Sequence, residues 1–188
     1  MNLPAIMLVC AAACGPFAMA HACEGWRSVA TPSRLAFEAR YEGAAAPGLF
    51  HRFDVCAVFD PRDPVTGTLT VTVDVTSADM DSGDLNQAIT EPVWFDSGTH
   101  PRARFVSESI EVAENGAFVA RGTLRLKGVT RPIDVPFSWQ IDGERARLRG
   151  ALSLQRTEFG IGSGEWSADG PIGHEVNVRY DVSLEPPP

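Results

Sequence analysis

Apolar and polar residues alternate with a period of two along most of this chain, which is the pattern of β-strands that bury one face. The pattern predicts eight strands, over residues 35–41, 49–57, 69–75, 103–114, 118–126, 133–141, 146–154 and 176–184. Phe105 and Ile110 fall on opposite phases of the fourth run, which predicts a bulge between them. In the second run, Leu49 is expected on the same inward face as Phe53 and Val55.

One short helix is predicted between strands 3 and 4. Asp84 is the expected N-cap, Gln87 follows it by three residues, and Pro92 ends the segment. The fold class is therefore all-β, with about eight antiparallel strands and one helix. A sandwich and a closed barrel both fit this pattern, and an eight-stranded barrel holds either packed side chains or one small ligand.

The inward phase is rich in aromatic rings. They suit a cavity for a long hydrocarbon, since burial is worth about 0.8 kcal/mol per CH₂, and they also suit a filled core, which composition alone favours. Gly122 and Gly150 lie on this phase and either leave space inside or relieve twist. The predicted lining residues are Phe37, Tyr41, Phe53, Phe59, Phe105, Phe118, Phe137, Trp139 and Tyr180, with His51 as the one other ionisable side chain on this phase.

The segment 156–173 is long for a hairpin loop, and such loops are often functional. Phe159, Ile161 and Trp166 belong to no strand there and are expected to cover a barrel mouth or to plug it. Arg156 and Glu158 lie two residues apart and point the same way in an extended segment, so at least one is expected to hydrogen-bond or pair with neighbouring barrel elements and to act structurally, not chemically.

Residues 1–20 are apolar and uncharged and resemble a signal peptide, which leaves residues 21–188 as a single domain. Cleavage is expected after Ala20 or Ala22. The mature chain then keeps Cys23 and Cys56, either as a disulfide in an oxidising periplasm or as two buried thiols.

The formal net charge of -8 and pI of about 4.9 argue against nucleic acid as a partner. The chain contains no G-x-S-x-G, H-E-x-x-H or phosphate-loop motif, and its four histidines lack metal-ligand spacing. The sequence therefore favours a binding protein over an enzyme, with no metal and no cofactor.

Three segments together resemble the YceI-like family. Gly122-Thr-Leu-Arg-Leu-Lys-Gly-Val-Thr-Arg-Pro132 is similar to its G-x-L-t-l-x-G-V-T-[RK]-P block. Trp94-Phe95-Asp96 with the segment 100–105 resembles F-F-D…Y-P-x-A-x-F, and 156–161 with 173–176 resembles R-x-[DE]-F-G-[IV]…G-[DE]-x-V. The resemblance extends over residues 34–184.

This resemblance implies an exported, lipocalin-like, eight-stranded barrel that encloses a polyisoprenoid or similar lipid, often as a homodimer. It places Trp94, Phe95, Phe159 and Trp166 at the barrel mouth. Trp94 and the segment 164–166 are most similar to the branch associated with membrane b-type cytochromes, so a ligand-free accessory subunit of such a cytochrome is the alternative function. Many relatives carry Arg-Asp-x-His-Leu where this chain has the uncharged residues 85–89. The loss of these charged side chains fits an uncharged, quinone-like headgroup better than a pyrophosphate.

Overall fold

The computed structural model describes residues 23–168 and 170–187 of the chain. The predicted leader, residues 1–20, and the alternative cleavage site at Ala22 lie outside the described residues. Within the described ranges, no helix is long and apolar enough to cross a membrane. The elements are β1 (Trp26–Ser28), β2 (Arg34–Tyr41), β3 (Ala44–Phe50), β4 (Phe53–Val58), β5 (Thr68–Asp74), β6 (Ala78–Asp79), α1 (Gly83–Ala88), β7 (Arg102–Val112), β8 (Phe118–Leu126), β9 (Val129–Asp142), β10 (Arg145–Gln155) and β11 (Glu175–Glu185).

The strands form one antiparallel sheet that closes into a lipocalin-like barrel. Their order is β1-β4-β5-β7-β8-β9-β10-β11-β2-β3-β6, and β1 also pairs with β11. Arg27 of β1 lies opposite Cys56 of β4 and also opposite Glu185 of β11, so this short strand closes the ring.

The eleven strands correspond to eight strands of the barrel wall, because three of the wall strands are each interrupted by a break and counted as two. The breaks separate β1 from β2, β3 from β4, and β5 from β6. Helix α1 then lies between the third and fourth wall strands, as predicted. The predicted bulge is also confirmed, because the β7–β8 register shifts between Ser107 and Ser109.

Two local predictions were wrong. Leu49 was expected to face inward, but it pairs with Ala36 on the outer face of the sheet. The break after Phe50 shifts the alternation, so that Phe50 and Phe53 both face the interior. The helix is capped by Ser82 and not by Asp84: the Ser82 hydroxyl accepts a hydrogen bond from the Leu85 amide at 3.5 Å, and Asp84 lies within the first turn.

The predicted disulfide between Cys23 and Cys56 is present, with the two Cα atoms 5.7 Å apart. In the sequence, Cys56 falls on the phase opposite Phe53 and Val55, so a bridge to Cys23 suggests that the segment around Trp26 crosses outside β4. Instead β1 lies beside β4 as a neighbouring strand, and the Trp26 ring packs against the core. The disulfide thus fixes the segment that closes the barrel.

Candidate functional site

Aromatic rings fill one end of the barrel, where the β4–β5, β7–β8 and β9–β10 connections lie. We call this end the floor. Phe59 is central to it, with ring centroids 4.9 Å from Phe118, 5.4 Å from Phe137 and 5.1 Å from Trp139. Trp26 packs edge-on against Trp139 at 5.7 Å. The floor is a packed core, and aromatic packing of this kind excludes a ligand chain.

Most of the predicted lining residues lie inside the barrel. Buried are Phe37, Phe59, Phe105, Phe118 and Phe137, and partly buried are Phe53, Trp139 and Tyr180. Tyr41 was wrongly placed in the interior: it is 49% exposed, because it ends β2 just before the turn at Glu42 and Gly43. His51 is also exposed, at the break between β3 and β4, where it pairs with Asp79 at 3.0 Å.

A band of apolar side chains between the floor and the opposite end faces inward yet remains partly accessible. The strand register places these residues on the inner phase; for example, Val178 lies opposite both Phe37 and Leu152. Unlike the buried floor residues Phe59, Phe118 and Phe137, these inward-facing side chains are only partly buried. We call this set the middle band; it consists of Phe53, Val71, Leu124, Ile133, Leu152 and Val178.

Gly122 and Gly150 do not leave empty space inside the barrel, so the first of the two roles considered for them is wrong. A Cβ atom at Gly122 would collide with the carbonyl oxygen of Val106, beside the β7 bulge. A Cβ atom at Gly150 would collide with the Pro136 carbonyl oxygen and with the Tyr180 ring. Both glycines permit close approach of neighbouring groups.

The other end of the barrel, which we call the mouth, carries α1 and the segments 89–101 and 156–174. Phe95 reaches the interior there, with its ring centroid 6.2 Å from Phe37 and 5.9 Å from Phe50. Trp94 and Trp166 stack with centroids 5.8 Å apart, so they join the two mouth segments. Three of the four predicted mouth residues therefore contact one another or the interior rings at this end.

Arg156 holds the segment 156–174 together from inside. It is 3% exposed and donates to five backbone carbonyls, those of Ile161, Gly162, Trp166, Ile172 and Gly173, at 2.7–3.2 Å. Its guanidinium also lies 6.0 Å from the Trp94 ring centroid. Burial lowers the pKa of this guanidinium. The predicted hydrogen-bonding role of Arg156 is confirmed.

Lys127 ties the two mouth segments to each other. Its ammonium donates to the carbonyl of Val93 at 3.3 Å and to that of Gly160 at 2.7 Å. Desolvation lowers the pKa of Lys127, while nearby Asp96 opposes that shift. The fourth predicted mouth residue, Phe159, is 1% exposed, and Ile161 is 9% exposed, so both apolar side chains of this segment are buried.

Two buried ring nitrogens lack hydrogen-bond partners among the described residues: Trp139 Nε1 near the floor and His174 Nε2 near the mouth. His174 lies two residues before Val176, which faces Leu154 across β10 and β11. An unpaired buried nitrogen costs free energy, so each is a point at which a ligand oxygen would be stabilised.

The barrel wall is open between β9 and β10 toward the mouth. These strands pair only where Ser138–Asp142 meets Arg145–Arg149. Beyond that, β9 continues alongside β8 to Val129, and β10 continues alongside β11 to Gln155. We call this gap the seam.

The seam contains a recess of about 420 Å³. Ile133, Leu152 and Leu154 line it from the inner phase, and Asp134 and Ser153 line it from the outer phase. The recess therefore lies between the two strand edges, beside Ile133 and Leu152 of the middle band.

Two prolines explain why the seam stays unpaired. The Pro136 carbonyl points toward β10, where it accepts a hydrogen bond from the Tyr180 hydroxyl. Because backbone groups alternate in direction, Pro132 presents its backbone to the same edge. Neither proline has an N–H to donate, and proline in a strand is found at unpaired edges.

A second recess, of about 430 Å³, lies against the outer wall between β11, β2, β3 and the segment after β6. Arg34, Glu38 and Arg179 border it from the outer phase. Among residues 23–168 and 170–187, no group of three or more His, Cys, Asp or Glu side chains is placed to hold a metal ion.

Sequence reasoning missed Lys127, His174 and the seam. The prolines at 132 and 136, four residues apart in one apolar-alternating run, were an available signal for the open edge. Nothing in the local pattern around Lys127 or His174 indicated burial, because the contacts that bury them come from segments distant in the chain.

Comparisons with known proteins agree with this architecture. The YceI-like domain model matches residues 26–184. A UPF0312 protein of Pseudomonas paraeruginosa is 30% identical over 145 residues, which cover 72% of this chain and 71% of that protein. The crystal structure of Burkholderia cenocepacia BcnA matches with a TM-score of 0.80 and 27% identity, over 83% of this chain and 98% of BcnA.

A polyisoprenoid-binding domain from Saccharophagus degradans has the same fold, with a TM-score of 0.67 at 16% identity, over 86% of this chain and 98% of that domain. The family match extends over nearly the whole barrel, from the β1 residue Trp26 to Leu184 of β11. This chain belongs to the YceI-like domain family.

Proposed function

We propose that this protein binds the apolar chain of an isoprenoid-type lipid in the mouth half of its barrel, as a carrier or sequestering protein. The observation that carries the proposal is the middle band, whose side chains face inward, are apolar and remain partly accessible. Each CH₂ group removed from water there contributes about 0.8 kcal/mol, so a short length of chain suffices for tight binding. The Saccharophagus domain with the same fold binds polyisoprenoids, which supports the ligand class.

The packed floor limits how much of the chain the barrel holds. From Gly150, opposite Tyr180, to the end of β10 at Gln155 the strand rises about 17 Å. The proposed chamber therefore takes only the terminal part of a long isoprenoid, and a longer chain must fold back or leave the barrel. Of the predicted lining residues, Phe37, Phe53 and Tyr180 border this chamber.

His174 is the proposed contact for the ligand's polar end. Its unpaired Nε2 is buried near the mouth, where an uncharged oxygen, such as a quinone carbonyl or an alcohol, would satisfy it. The donors of Arg156 and Lys127 already bond backbone carbonyls. Because all five guanidinium donors of Arg156 are used in this way, Arg156 is not free to bind a pyrophosphate, which supports an uncharged headgroup.

We further propose that the protein is exported to the periplasm, with residues 1–20 removed as a signal peptide and residues 21–188 forming the mature domain. The Cys23–Cys56 disulfide supports an oxidising compartment. N-terminal sequencing of the protein secreted by its own host would locate the cleavage, after Ala20 or after Ala22.

The test is lipid extraction from protein purified from its own host, followed by mass spectrometry, on wild type and two matched variants. Leu124→Trp places a large ring in the middle band and should abolish bound lipid while costing less than about 1–3 kcal/mol, the range for overpacking a filled core. Arg125→Trp, on the next residue and the outer face, should retain the lipid.

Lipid absent from wild type, combined with no binding of added geranylgeraniol, would contradict the proposal. That result would favour the accessory role on a membrane b-type cytochrome, with a homodimer or a mixed complex as its active form.

A further inference from the structure

The mouth and the seam are two places where the interior of the barrel adjoins the outside. They differ in the number of hydrogen bonds that keep them closed. At the mouth, Arg156 makes five hydrogen bonds to backbone carbonyls and Lys127 bridges Val93 and Gly160. Phe159 is buried there. Opening the mouth means breaking these contacts together, which leaves buried polar groups without partners.

At the seam, no ladder hydrogen bond has to break. The β9–β10 register ends at Ser138 and Arg149. On the mouth side of that point, two side-chain hydrogen bonds of the described residues join the two sides of the seam: the Tyr180 hydroxyl bonds the Pro136 carbonyl, and Lys127, on the turn between β8 and β9, bonds the Gly160 carbonyl beyond β10. Widening the seam near Pro136 therefore breaks fewer hydrogen bonds than opening the mouth, where Arg156 alone makes five.

We infer that the seam between β9 and β10 is the portal through which the apolar chain of the ligand enters and leaves the barrel. This inference rests on the proposed lipid-binding function. Ile133, Leu152 and Leu154 line the seam from the inner phase, so a hydrocarbon passing between the strands contacts apolar side chains on the inner side. Asp134 and Ser153 border the outer side, where water meets the opening.

The two prolines have a second consequence for this portal. An open pair of strand edges normally offers N–H and C=O groups to another chain, which leads to aggregation. Pro132 and Pro136 remove N–H donors from the β9 edge. The seam is thereby kept open to a hydrocarbon without being a template for an added strand.

A cross-link across the seam tests this directly. If the pairing of Ser138 with Arg149 continued toward the mouth, Asp134 would lie opposite Ser153. Both are exposed, so Asp134→Cys with Ser153→Cys should fold normally and can be joined by a short bifunctional maleimide. The matched control is Ala151→Cys with Arg179→Cys, which joins β10 to β11 where the ladder is already continuous.

The measurement is the rate at which radiolabelled geranylgeraniol moves from the protein to phosphatidylcholine vesicles, and the rate of its uptake. The seam cross-link should slow both by roughly tenfold or more, equivalent to about 1.4 kcal/mol in the barrier. Three controls should exchange geranylgeraniol at the rate of untreated wild type: wild type treated with the same reagent, the control variant after cross-linking, and the seam variant before cross-linking.

Unchanged rates in the seam cross-link, with geranylgeraniol still bound, would overturn the portal and leave the lipid-binding function standing. No geranylgeraniol binding by untreated wild type would instead overturn the proposed function. Tyr180→Phe gives an independent test: it removes the hydrogen bond from the Tyr180 hydroxyl to the Pro136 carbonyl, so uptake and release should both become faster, whereas slower or unchanged exchange contradicts the inference.

Discussion

The hydroxyl of Tyr180 donates a hydrogen bond to the carbonyl oxygen of Pro136, from β11 to β9, across the intervening β10 at Gly150. Burial raises the pKa of Tyr180, so the hydroxyl remains a donor under all ordinary conditions. Only a residue without a side chain at position 150 lets the phenol ring reach across the strand. Gly150 is therefore part of the contact and not an empty position in a cavity.

Gly150→Ala should destabilise the protein by about 1–3 kcal/mol, because the new Cβ atom overlaps both Tyr180 and the Pro136 carbonyl. The measurement is urea unfolding followed by circular dichroism. Gly83→Ala is the matched control: no atom lies within 4 Å of its added Cβ. It should be neutral or slightly stabilising because alanine restricts the unfolded chain. Equal effects of the two substitutions would contradict this account of Gly150.

Arg156→Ala should lower the free energy of unfolding by about 2–4 kcal/mol, because it leaves buried carbonyls of the mouth segment without donors. Arg156→Lys should recover only part of the loss, since an ammonium has fewer donors and a different geometry. Urea unfolding measures both. Arg62→Ala removes an exposed arginine whose ion pair with Asp60 lies at the surface and should change little.

A purely chemical role for Arg156 would give a different pattern. The Ala variant would then lose ligand binding and keep the unfolding midpoint of the wild type. That outcome would show that Arg156 contacts the ligand and does not hold the mouth together.

Replacing both Cys23 and Cys56 with serine should cost about 3–4 kcal/mol in the chain-entropy account, since the bond closes a loop across a sequence separation of 33. The loss should appear in thermal and urea unfolding, and the variant should be insensitive to reductant. Wild type should lose a similar amount when dithiothreitol is added. A wild-type midpoint that reductant does not move would mean that the bond contributes no stability.

Asp79 should make stability depend on pH at the acidic end. Hydrogen bonds from His51, from the Asn86 amide and from the Asp81 backbone N–H lower the pKa of Asp79 from 3.8 to about 2. A carboxyl group whose pKa is lower in the folded state stabilises the fold above its unfolded pKa, and this contribution disappears as pH falls through the folded value.

The difference in unfolding free energy between wild type and Asp79→Asn should therefore be constant above about pH 4 and shrink as pH falls toward about 2. Urea unfolding at a series of pH values measures it. A difference that stays constant down to about pH 2 would mean that Asp79 is not held ionised by these contacts.

Local pattern was sufficient for most of the strands and for the bulge, whereas it left both a disulfide and two buried thiols open for Cys23 and Cys56. Alternation reports only which side of the chain is apolar, and it did so correctly wherever a strand ran without a break, as in β10 and β11. The alternation failed at Leu49, because the break after Phe50 is imposed by the pairing of β3 with β6 and β2. It failed at Tyr41, because this residue is the last of β2 and its side chain is exposed although it lies on the apolar phase of the strand.

The sequence by itself determined the antiparallel strands and their apolar face, because period two and turn positions are properties of neighbouring residues, but the pattern fitted a sandwich as well as a closed barrel. Whether the interior is filled was decided only by the tertiary structure. Phe59, from a connection and not a strand, packs the floor, and Tyr180 reaches across Gly150. Such contacts join residues far apart in the chain, and their distances depend on barrel closure, so no local pattern encodes them. The open seam depends on both the sequence and the tertiary structure. The two prolines are visible in the sequence, but only the closed barrel places them opposite an unpaired part of β10.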